Sequence, residues 1–85
     1  MTTFTLIWQP AAVPGLIRIR TTDPQTAKVV RTAVNALAED AYPSSSTPLG
    51  DAGLRRLRLG DVRVVYEVDD SDRAIQVLVI GRVGR

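Results

Sequence analysis

Apolar positions recur along this chain in two rhythms, and the switches between them mark out its elements. Residues 3–8, "TFTLIW", alternate, with Phe4, Leu6 and Trp8 on one side, and predict a first strand that Pro10 ends. Further on the spacing lengthens: Ala27, Val30, Val34 and Leu37 fall on one stripe of a helix. Asp23 suits its N-cap and Pro24 its first turn, so a helix is predicted over 23–40. Between these two elements, "PAAVPGLIRIR" (10–20) carries Pro14 and Gly15 where a short helix would otherwise run, and reads as a broken helix or irregular turn. Residues 41–53, "AYPSSSTPLGDAG", with two prolines, three serines and two glycines, read as a connecting loop. Alternation then returns in three predicted strands, 54–59, 62–68 and 74–80. Gly60-Asp61 is a two-residue hairpin turn of the Gly-X kind, and "DDSDR" a looser one. The last strand, "AIQVLVI", is nearly all apolar and reads as a central strand buried on both faces. The expected fold is α+β: a small antiparallel-rich sheet of about four strands, with one or two N-terminal helices on one face.

The segment "LRRLRLGDVRVVYEV", Leu54 to Val68, places arginines on strands, where side chains point alternately to opposite faces. Leu57, Leu59, Val64, Tyr66 and Val68 need the helix, and Arg55 shares their side. Arg56, Arg58 and Arg63 therefore project together from the other, open face, with Glu67 beside them. Arg82, at the end of the last strand, is expected to join them, and Arg85 to follow from the tail. Like charges on adjacent strands repel, and three or four within a Debye length of about 8–10 Å call for a counter-charge. Two readings fit: a solvated face balanced by Glu67 and the acidic turn, or an anion site for phosphates or an acidic partner.

Composition narrows the chemistry. At 85 residues the chain fits one domain, spanning 1–85, with a thin core. It has no cysteine, hence no disulfide framework and no thiolate chemistry, and no histidine, hence neither the usual general base near neutral pH nor the commonest metal ligand. Neither a cofactor nor a metal is expected. Ten of its eleven basic residues are arginine, the residue that grips phosphate in bidentate fashion. No run approaches the roughly 18 apolar residues that span a bilayer, and "MTTFTLIWQP" lacks the basic start of a signal peptide. A cytoplasmic protein that does not engage membranes is expected.

"LRRLRLGDVRVVYEVDD", followed by "IQVLVIG" and a basic end, resembles the RelE/ParE superfamily of bacterial toxins. The opening "TLIWQPAA" is similar to the family's first strand and the start of its first helix, and Pro14-Gly15 departs from its usual basic helix. The resemblance implies the toxin of a type II toxin–antitoxin system. Its RelE branch implies a ribosome-dependent endonuclease that cuts mRNA by 2′-OH attack, with catalytic basic residues falling on Arg56, Arg58, Arg63 and Arg82. Arg85 is a shifted stand-in for a further one, and the family's tail tyrosine has no match. Such cleavage needs a base, an acid and cations. Guanidinium, with a pKa above about 12, supplies only the last, which leaves Glu67 as the nearby titratable base, or as charge balance for Arg63. The expected partners are a cognate antitoxin with an acidic segment, and the ribosome with its mRNA. The ParE branch implies instead an inhibitor that binds DNA gyrase, and a third alternative is a degenerate, weakly toxic member that mainly binds its antitoxin.

Overall fold

A computed structural model describes residues 3–50 and 52–83. In chain order they form strand β1 (Thr5–Trp8), helices α1 (Val13–Thr22) and α2 (Pro24–Ala36), and strands β2 (Ser46–Pro48), β3 (Leu54–Leu59), β4 (Val62–Asp69) and β5 (Ala74–Arg82). The strands make one sheet in the order β1-β5-β4-β3-β2. All neighbours run antiparallel except β1, which lies parallel to β5. The helices cover one face, and the architecture is α+β, as expected. No helix among the described residues is long and apolar enough to cross a membrane.

The core lies between that face and the helices. Ala27, Val30, Val34 and Leu37 of α2, all buried, meet Leu57, Val62, Val64, Tyr66, Ile75 and Val77. Phe4 is buried, and Leu6 and Trp8 pack half-buried against the same cluster. Asp23 caps α2: its Oδ1 accepts from the Thr26 amide at 3.2 Å and its Oδ2 from the Thr26 hydroxyl at 2.6 Å. Regular helix ends at Ala36, short of the expected 40, and 37–39 turn towards the loop.

Three features differ from the sequence reading. The stretch with Pro14 and Gly15 is a regular helix, not a broken one. Pro14 sits in the first turn of α1, where its missing N–H has no intrahelical acceptor to lose. Gly15 lies where α1 touches β5; a Cβ there would be 1.9 Å from the Ile80 carbonyl oxygen. Glycine is thus selected by close approach, and its poor helix propensity is overridden by packing.

The loop contributes a fifth strand. Ser46–Pro48 pairs with Leu57–Arg55 at the sheet edge. A buried polar chain holds it there. Arg55 Nε donates to Ser46 Oγ (2.7 Å), Ser46 Oγ lies 2.6 Å from the Tyr66 hydroxyl, and Tyr66 donates to the Ala41 carbonyl (2.8 Å). Arg55 also stacks over the Tyr42 ring, 4.9 Å from its centroid.

The third difference is in β5. It is an interior strand, but not buried on both faces: Val79 is 46% exposed. Its pairing with β4 shifts register, because Tyr66 faces Val77 while Val65 faces Val79. Leu78 is the extra residue of a β-bulge, and beyond it every side chain of β5 changes face.

Two substitutions test these contacts. Gly15→Ala is expected to destabilise the fold by about 1–3 kcal/mol, because the helix must move off β5; an unchanged urea midpoint contradicts the close approach. Tyr66→Phe removes the donor to the Ala41 carbonyl and the acceptor of the Ser46 hydroxyl proton, leaving Ser46 only its bond from Arg55, and is expected to cost about 1–3 kcal/mol, read in the same titration. A variant as stable as the parent means that this chain does not hold the loop.

Candidate functional site: the open face of the sheet

The site is built by the β3–β4 hairpin. Gly60 takes φ +61°, which a two-residue hairpin turn requires and glycine supplies without strain. That turn sets Leu59 opposite Val62, Leu57 opposite Val64 and Arg55 opposite Tyr66, all on the helix side. The alternate pairs, Arg58 with Arg63, Arg56 with Val65 and Leu54 with Glu67, stand on the uncovered side.

These pairs extend into rows across the open face. One row runs Arg58, Arg63, Gly81; the next Thr47, Arg56, Val65, Val79; the third Leu54, Glu67, Gln76, Ile7. Directly opposite residues lie about 5 Å apart and rows about 7 Å apart. The backbone positions of Arg56, Arg58 and Arg63 thus lie within a Debye length of one another. Arg56 and Arg58 are exposed and Arg63 half-buried. The Arg63 guanidinium folds back on its own turn and donates from Nη1 to the carbonyls of Gly60 (2.8 Å) and Val62 (3.1 Å). Gly81, opposite Arg63, leaves a bare patch, with open space where a Cβ would stand.

The register therefore brings Arg56, Arg58 and Arg63 to one face. Among the described residues none of them is in an ion pair. Glu67 shares their face, diagonal to Arg56, and is itself unpaired among those residues. It stands four residues along β4 from Arg63, roughly 13 Å at strand rise. Charge balance between Glu67 and Arg63 is thus absent, and Glu67 shares the arginines' face without an ion pair among the described residues. Tyr66 points into the core and is fully buried.

Arg82 is not on this face. The bulge at Leu78 puts it opposite Val62, on the helix side, where its Nε donates to Asp61 Oδ2 (3.1 Å) and its Nη2 to Asp23 Oδ2 (3.2 Å). Alternation counted from Ile75 and Val77 would have kept it with the other arginines. Hydrogen bonds from the Thr26 hydroxyl and amide, and then from Arg82, hold the Asp23 carboxyl below the usual aspartate range. Arg85 lies outside the described residues. Sequence reasoning passed over Asp23 and Asp61 as a pair; nothing local joins residues 38 positions apart.

The helix layer carries a second basic surface. Arg18, Arg20, Lys28 and Arg31 are all exposed on α1 and α2, the last three around a groove floored by Leu16 and Ala27. Cations therefore stand on both faces, and among the described residues the sheet side sets a carboxylate, Glu67, on the same face of rigid strands.

Comparison with known proteins agrees with this architecture. The family model described as "ParE toxin of type II toxin-antitoxin system, parDE" matches residues 6–85. A chain of the archaeal RelE-RelB complex from Pyrococcus horikoshii OT3 superposes with a TM-score of 0.81 at 25% identity, over 99% of each chain. A chain of the RelBE2 toxin-antitoxin complex from Mycobacterium tuberculosis gives 0.80 at 20% identity, over 96% of this chain and 100% of that one. One from the chromosomal ParDE system of P. aeruginosa gives 0.77 at 22%, over 96% and 98%. No curated protein sequence matches significantly. With the family model covering nearly the whole chain and this fold on the page, the protein belongs to the ParE toxin family of type II toxin–antitoxin systems, within the RelE/ParE superfamily.

Proposed function

We propose that this toxin is an endoribonuclease that cuts messenger RNA on the ribosome, with Arg56, Arg58 and Arg63 holding the scissile phosphate and Glu67 taking the proton of the attacking 2′-hydroxyl. The observation that carries the reading is the shared open face: three guanidinium groups and one carboxylate without an ion-pair partner among the described residues, all on two paired strands. Glu67 draws the proton, the 2′-oxygen attacks the neighbouring phosphorus, and the bond to the 5′-oxygen breaks. The products are a 2′,3′-cyclic phosphate and a 5′-hydroxyl. The arginines stabilise the charge that builds on the phosphorane oxygens, where a preformed donor is worth most. The described residues of this face offer no second proton-transfer group beside Glu67, so the leaving oxygen takes its proton from water. That favours a slow enzyme, one that leans on the ribosome to hold the message in line for attack. The likeness to RelE proteins is the reason for setting the cut on ribosome-bound message.

The arginine face also fits the antitoxin expected of a type II system. An acidic, partly helical segment laid over Arg56, Arg58 and Arg63 would neutralise the cluster and cover Val65 and Val79 in one step. The neighbouring folds from RelE-RelB and ParDE complexes support such a partner. A second reading, inhibition of DNA gyrase by binding, is favoured by the ParE family match and by the removal of Arg82 from the cluster.

Induced expression should arrest growth, and protein added to programmed ribosomes should yield new 5′ ends within the message. Arg63→Ala and Arg58→Ala are each expected to lower cleavage by about 10²–10³-fold, and Glu67→Gln by about 10²-fold or more. Intact message together with stoichiometric loss of supercoiling would overturn the nuclease reading in favour of gyrase. A soluble protein that is harmless without its antitoxin would leave only antitoxin binding.

A further inference from the structure

Arg82 is held by two carboxylates from two different elements, on the side of the sheet away from the arginine cluster. Its partners are not arbitrary. Asp23 caps α2, and Asp61 is the second residue of the hairpin turn. The backbone reinforces the second tie, for the Val83 amide donates to the Asp61 carbonyl at 2.7 Å. The turn so anchored presents the Gly60 carbonyl, and the Val62 carbonyl follows it; the Arg63 guanidinium rests on both. A continuous path of polar contacts thus runs from the N-terminus of α2 through Arg82 and Asp61 to the turn and on to Arg63. Arg58 stands opposite Arg63 across the same turn.

The geometry points to Arg82 as a positioning residue: it braces the hairpin turn against the helix layer through Asp61 and Asp23, and so fixes where Arg63 and Arg58 stand, without touching the phosphate itself. This rests on the reading of the open face as the phosphate-holding surface. To reach that face Arg82 would have to leave both carboxylates and cross the sheet, since its register is that of buried Val62. The bulge at Leu78 is what commits it to the helix side, and in exchange the end of β5 is fastened to the turn. Lysine is a poorer replacement. A single ammonium lacks the planar fork that gives Nε to one carboxylate and Nη2 to another.

The two possible roles of Arg82 separate by sign. Were it a phosphate ligand restrained by Asp61, Asp61→Asn would release it and remove a negative charge, so polyanions would bind more tightly. As a brace, Asp61→Asn loosens the turn, so binding weakens although the protein has become more positive. The salt dependence separates them again, because a lost phosphate contact lowers the slope of log K against log salt by about 0.7 for a single strand. Loss of a brace lowers affinity at every salt concentration and leaves the slope.

The experiment measures binding of a short single-stranded oligoribonucleotide by fluorescence anisotropy across a salt series, for the parent and for Asp61→Asn, Arg82→Ala and Arg82→Lys, each checked for folding by circular dichroism. In parallel, the exchange of the Arg63 side-chain N–H protons is followed by NMR without RNA. All three variants should bind about fivefold or more weakly, with the parent slope, with no rescue by lysine, and with faster exchange at Arg63. Tighter binding by Asp61→Asn, a shallower slope for Arg82→Ala, or rescue by Arg82→Lys overturns the brace. If the parent does not bind RNA at all, the functional reading falls instead, and exchange at Arg63 alone judges the brace: acceleration in the variants supports it and unchanged exchange overturns it.

Discussion

The pairing register of β3 with β4 is the constraint from which the rest follows. One turn, with Gly60 at positive φ, sorts two strands of mixed sequence into an apolar side and a cationic side. Burial of Leu57, Val62, Val64 and Tyr66 holds that register, since a slip of one residue would turn these outward and bring Arg56, Arg58 and Arg63 under the helices. Unpaired guanidinium in a core costs several kcal/mol apiece, far more than the mutual repulsion of the three groups in solvent. The hydrophobic core therefore dictates where the charges stand, and the charges accept the repulsion because nothing among the described residues covers their face.

Much of this is written in local pattern. Asp23-Pro24 and the stripe from Ala27 to Leu37 mark α2, and alternation in "LRRLRLGDVRVVYEV" separates core from open face correctly for every residue of the hairpin. The failures share one cause, in that each depends on a contact distant in sequence. Pro14-Gly15 reads as a breaker until Ile80 is seen against Gly15. Ser46–Pro48 reads as loop until Arg55 and Tyr66 reach Ser46. Arg82 reads as a member of the cluster until a single extra residue at Leu78 reverses the faces beyond it. An apolar run such as "VLVI" conceals a bulge, because every side chain in it is acceptable on either face.

Family membership and site chemistry speak to different questions here. The fold and the family match make the chain a type II toxin. They do not choose between cutting RNA and binding a protein target, because the same scaffold in this superfamily carries both. The reading proposed above favours cutting because of the company the arginines keep. A surface of cations alone would suit a polyanion or an acidic partner equally. A carboxylate without an ion pair among the described residues, on the same rigid strands, adds the one group that proton transfer requires and that arginine cannot supply.

The most direct measurement is an NMR titration of the folded protein with a short single-stranded RNA at low salt, following backbone amides and arginine side chains together. The account predicts that Arg56, Arg58, Arg63 and Glu67 shift first, with Val65 and Val79 between them, while Arg18, Arg20, Lys28 and Arg31 on the helices stay in place. Shifts confined to the helix surface would contradict it and leave the arginines of the sheet without a ligand.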